Sequence, residues 1–80
     1  MNRLVLERRL KLAQRHAGTT EKLVARQRHI VGKLAVGSKS LGQAQSLLRL
    51  FEDLHRLCVD DERRTGEQLA SLMLRRWQAQ

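Results

Sequence analysis

The feature that most limits what this chain can become is a 3-4 spacing of apolar residues. It runs through two proline-free stretches and is interrupted once. In the first stretch Leu6, Leu10, Ala13, Ala17, Thr20, Val24, Gln27, Val31 and Leu34 recur three and four residues apart. Such a spacing keeps a narrow stripe on one face of an α-helix, as in a coiled-coil seam. Leu23 and Ile30 widen it. In the second stretch Leu41, Ala44, Leu48, Phe51, His55 and Cys58 form one seam, and Leu47, Leu50, Leu54 and Leu57 form another beside it. Beyond the polar run 60–68, Leu69, Leu72, Met73 and Trp77 resume helical spacing. Strands need alternating β-branched and aromatic residues. Here Phe51 and Trp77 are the sole aromatics and good helix formers dominate. The pattern predicts an all-α chain.

The interruption is the stretch GKLAVGSKS, residues 32–40. Gly37 suits the left-handed conformation that ends a helix. Ser40 and Gln43 have the S-x-x-Q spacing of a capping box, in which each side chain satisfies the other residue's backbone N–H. The expectation is a single domain over 1–80: a helical arm over about 2–36, a turn at 37–40 and a second arm over about 41–77. A connection this short makes the arms antiparallel neighbours, a helical hairpin. A break of the first arm at Gly18-Thr19-Thr20 stays open, and Gly66 is a second weak point.

Folding the arms about Ser38 and Lys39 pairs residues whose numbers add to about 77. Val31 then meets Leu47, Gln27 meets Leu50, Val24 meets Leu54, and Thr20 meets Leu57. Farther out, Arg15 and His16 face Asp61 and Glu62, Leu10 nears Glu67 and Leu69, and Leu4 and Leu6 meet Leu72 and Met73. Val24, Val31, Leu34, Leu48, Phe51 and Cys58 are the expected hairpin core. Two helices alone cannot enclose the extra stripe of the second arm. Leu47, Leu50, Leu54 and Leu57 are therefore the expected interface of a homodimer, a four-helix bundle built from two hairpins. A lone hairpin, or one covered by a different protein, is the alternative.

Catalytic chemistry finds little support. GKLAVGSKS departs from the phosphate-loop spelling G-x-x-x-x-G-K-[ST] by one inserted serine, and no strand precedes it. His55 and Cys58 stand three apart, but zinc needs three or four ligands, and the pairing leaves His16 and His29 out of reach. Glu52-Asp53 and Asp60-Asp61-Glu62 are neighbours that point in different directions, which suits solvated faces and ion pairs. No metal, cofactor, small-molecule substrate or enzymatic activity is expected.

Charge is the most lopsided property. Residues 1–40 hold ten Lys or Arg against Glu7 and Glu21, whereas residues 41–80 hold six basic and six acidic groups. Arg3, Arg8, Arg9, Lys11, Arg15, Lys22, Arg26, Arg28 and Lys33 line the first arm. Phosphate contacts by such groups drive non-specific nucleic-acid affinity. The competing functional reading is thus a nucleic-acid accessory protein using Arg8, Arg9, Lys11, Arg26, Arg28 and Lys33. No membrane role is expected, because no apolar run approaches the roughly 20 residues of a span and the basic arm lacks large aromatic anchors. Leu4-Val5-Leu6 is too short for a secretory leader, although the arginine-rich start partly fits a mitochondrial one. The single cysteine, Cys58, rules out an internal disulfide and points to a reducing compartment, the cytoplasm.

Gln27, Arg28, Ile30 and Leu34, the turn glycine Gly37, and then Ala44, Leu47, Leu48, Phe51, Glu52 and Leu54 together make a pattern over residues 25–55. It resembles small uncharacterised helical-hairpin proteins of proteobacteria, with a turn one residue longer. That resemblance implies a hairpin fold and a bacterial cytoplasmic origin, and it brings no activity with it. The expected role is a non-enzymatic structural or protein-interaction module that self-associates.

Overall fold

The computed structural model describes residues 2–78. Two α-helices account for nearly all of them: α1 (Arg3–Lys33) and α2 (Lys39–Gln78), packed as an antiparallel hairpin. The rod measures 65 × 15 × 13 Å, with a radius of gyration of 18.3 Å. A compact chain of this length would have a radius of gyration of about 12 Å. The accessible surface is 6399 Å², against about 5000 Å² for a compact monomer of the same mass. The hairpin thus keeps in water a large area that a globular domain would bury.

α1 begins at Asn2, whose Oδ1 accepts the Val5 N–H at 3.0 Å and satisfies one of the free donors of the first turn. It then runs unbroken through Gly18-Thr19-Thr20, so the break left open there does not occur. Within this continuous helix the Thr20 hydroxyl lies 3.0 Å from the His16 carbonyl and 3.1 Å from that of Ala17, so it is satisfied inside the seam. Likewise α2 passes through Gly66 without interruption.

The turn, residues 34–38, lies earlier in the chain than the capping pattern suggests. α1 ends at Lys33, not near Val36, and α2 begins at Lys39, not at Leu41. Gly37 has φ +85°, the one positive φ among the described residues, as its role as helix stop requires. The capping residue is Ser38, whose Oγ accepts the Leu41 N–H at 3.1 Å. The Ser40–Gln43 box is therefore a correction: both residues lie inside α2 and both are exposed. Starting at Ser38 adds most of a turn of helix and lets Leu41 continue the seam from the first turn.

The seam itself follows the 3-4 spacing without a gap. On α1, Leu6, Ala13, Ala17, Thr20, Val24 and Gln27 are buried, while Leu10, Val31 and Leu34 are half-buried. On α2, Leu41, Ala44, Leu48, Phe51, His55 and Cys58 are half-buried and form the facing row. The row does not stop at the polar run: Glu62 is half-buried, Thr65 is only 2% exposed, and Leu69 and Leu72 continue it. A methyl group at Gly66 would lie 3.9 Å from Leu10 Cδ1, an ordinary van der Waals distance.

Register differs from the expected pairing by about two residues. Thr20 Oγ1 lies 2.8 Å from His55 Nδ1, where Leu57 was expected. The same shift brings Gln27 opposite Leu48 rather than Leu50, and its side chain reaches one turn back along α2 to donate from Nε2 to the Ala44 carbonyl at 2.9 Å. The hairpin thus mates one seam with the other, and Leu47, Leu50, Leu54 and Leu57 are not opposite α1 at all. Two polar contacts bridge the helices in this register and give His55 and Gln27 partners inside the seam. Toward the open end Leu6 and Leu72 line one groove, as expected, whereas Leu4 is exposed.

Candidate functional site

The rod has two flanks of different character, and the seam numbering separates them. Arg28 follows the seam residue Gln27, and Glu52 follows Phe51. These two meet across the helices at 3.1 Å, which defines a polar flank. Residues that precede the seam positions Val24, Val31, Leu48 and His55, each reached by a four-residue step, lie on the other flank. They are Leu23 and Ile30 on α1, and Leu47 and Leu54 on α2. Leu50 and Leu57 stand next to them, farther round α2, and are 61% and 63% exposed. Leu47, Leu54 and Ile30 are each about two-fifths exposed. The structure therefore gathers the four expected interface leucines on one open face and adds two apolar residues from α1. Of the expected core, Val24 is buried, while Val31, Leu34, Leu48, Phe51 and Cys58 are half-buried in the seam.

The six expected phosphate contacts divide. Arg28 is held by Glu52 on the polar flank and drops out of the basic surface. Arg9 precedes the seam residue Leu10 and sits beside the seam, on the side of Leu23 and Ile30. Arg8, Lys11, Arg26 and Lys33 instead lie on the side of α1 turned away from α2, all exposed. Arg15 and Lys22 join them there, also exposed. Within α2, Asp60 and Glu67 both pair with Arg63, at 3.8 Å and 3.2 Å. Arg15 remains exposed, so the expected juxtaposition with Asp61 does not neutralise it.

Grooves between the helices are shallow and open. One is lined by Val24, Arg28, Glu52, His55, Arg56 and Val59. His55 is half-buried and engaged with Thr20. No cluster of three or more His, Cys, Asp or Glu suited to a metal ion occurs among the described residues. No helix among them is long and apolar enough to cross a membrane.

Sequence reasoning missed the continuation of the seam through Glu62 and Thr65, although the 3-4 count from Cys58 to Leu69 leads straight through both. It also missed Ser38 as the cap. Compared with family models, curated proteins and solved structures, the chain matches none. The likeness of residues 25–55 to proteobacterial hairpin proteins rests on its motif alone.

Proposed function

We propose that this chain is a non-enzymatic structural module that acts by self-association, two hairpins pairing through the leucine flank into a four-helix bundle. One observation carries the reading: Leu47, Leu50, Leu54 and Leu57, with Leu23 and Ile30, form an open apolar face continuous with the hairpin's own seam. Covering the exposed part of each leucine stabilises the assembly by roughly 1 kcal/mol. A two-fold axis counts every such residue twice. A second copy is the occupant that supplies a face of matching length and chemistry without a further component. The opposite flank, with its Arg28–Glu52 pair, has no comparable apolar content.

Light scattering at micromolar concentration tests this. The expected result is a dimer that Leu54→Glu converts to monomer with its helicity kept. A wild-type chain that is monomeric at tens of micromolar would overturn self-association and transfer the face to a different protein.

A further inference from the structure

The outer face of α1 carries a basic stripe that stands largely clear of the leucine flank. Arg8, Lys11, Arg15, Lys22, Arg26 and Lys33 follow one another at intervals of three, four or seven residues, all turned away from α2 and exposed. At 1.5 Å per residue the stripe is about 37 Å long. The acids of α1 lie outside it. Glu7 is bound to Arg3 at 2.9 Å, and Glu21 lines a groove beside Val24 and Arg28 on the polar flank. None of the six stripe residues forms an ion pair among the described residues. Together they supply most of the formal net charge of +8. Uncompensated like charges held in line on a rigid helix repel one another, a cost that an anionic partner removes.

We propose that this stripe binds the phosphate backbone of duplex nucleic acid without reading sequence. Three observations favour that partner. First, the stripe is straight and rigid over several turns, as a duplex is, so neither partner must be ordered on binding. Second, the positions between the basic residues are filled mainly by Gly18, Thr19, Ala25, His29 and Gly32, with Leu12 the one large apolar side chain among them. The first five are small or polar, so a backbone can approach closely, and a single leucine is no apolar wedge for a lipid surface. Third, no aromatic residue lies on α1, and single strands are held largely by stacking on aromatics. The exposed Trp77 belongs to the open end of α2. Arg8, Lys11, Arg15 and Lys22 lie clear of the leucine flank, whereas Arg26 and Lys33 stand at its α1 edge, at positions equivalent to Leu50 and Leu57, so the inference rests chiefly on the first four.

The test is fluorescence anisotropy of the full chain with a ~30-base-pair DNA duplex across a sodium chloride series, where log K against log salt should fall with a slope of about −4 to −5. The triple variant Arg15→Gln, Lys22→Gln, Arg26→Gln should make that slope shallower by about 2.7 and weaken binding at least ~10-fold at low salt. A charge-matched triple on α2, Arg49→Gln, Arg56→Gln, Arg64→Gln, should change affinity less than ~2-fold. All six positions are exposed, and circular dichroism of both triples checks that they keep the helicity of the wild type. Equal weakening by the two triples would replace the stripe with a general charge effect and overturn the proposal. Absence of binding at low salt would overturn it as well. So would tighter binding to phosphatidylserine vesicles than to the duplex.

Discussion

α1 and α2 share one seam, but α1 supplies nearly all of its fully covered residues. α1 offers Ala13, Ala17 and Thr20, small groups that are almost fully covered. α2 offers Leu48, Phe51, His55 and Leu69, larger groups that are only half covered. Large knobs over small holes bury the small partner and leave the flanks of the large one in water. Surplus apolar surface therefore collects on α2, and the uncompensated charge collects on α1. The difference teaches that the division of roles between the arms follows from side-chain size at their contact. Neither arm needs a cavity to have a role.

The sharpest way to break the comparison is to charge each arm in turn. Leu54→Glu on α2 should raise the dissociation constant of the self-associated form at least ~100-fold, because each copy contributes the residue to the interface. Leu12→Glu on the exposed side of α1 should leave it within ~2-fold, since Leu12 lies off the leucine flank. Sedimentation velocity reads both. If the two variants behave alike, the asymmetry between the arms has no bearing on assembly.

A smaller effect tests what holds the register. Thr20→Ala removes the partner of His55 Nδ1 inside the seam and should cost about 1–3 kcal/mol in urea unfolding. A loss below a few tenths of that would mean that water satisfies the imidazole equally well. The turn gives a still smaller difference. Ser38→Ala should cost about 1 kcal/mol, whereas Ser40→Ala should cost only a few tenths. The reverse order would restore the Ser40 box and move the start of α2. Finally, Gly66→Ala should stabilise by about 0.5–1 kcal/mol, because helix propensity improves and the added methyl meets Leu10 at an ordinary 3.9 Å. A drop in melting temperature would show that the arms are closer there than this spacing allows.

Much of this fold was legible because its main signal is periodic. The seam of α1 was readable from Leu6 to Leu34, and Gly37 announced the turn through the one conformation that glycine tolerates best. The register was not readable to the residue. Leu47, Leu50, Leu54 and Leu57 look like the better mates for α1 on hydrophobicity, and the observed register carries hydrogen bonds of Thr20 and Gln27 that apolar counting ignores. For the same reason the row seemed to end at Cys58, since Glu62 and Thr65 do not register as seam residues until their neighbours are seen. Capping was ambiguous because Ser38 and Ser40 are both serines close to the start of α2, and only the structure shows that Ser38 takes the Leu41 N–H. The open leucine flank could be read from sequence, but the isolation of the basic stripe could not. It depended on knowing that Arg28 turns toward Glu52.

The two polar contacts within the seam also constrain how such a rod can change over time. Thr20–His55 and Gln27–Ala44 act as teeth at fixed heights along the shaft. A residue gained or lost in one arm between them would throw one tooth out of mesh. A repeat of seven added at the same height to both arms would leave both engaged and lengthen the shaft by about 10 Å. Lineages descending from this hairpin are expected to vary in length by paired steps of one heptad, like a telescoping ruler whose two sides must slide together.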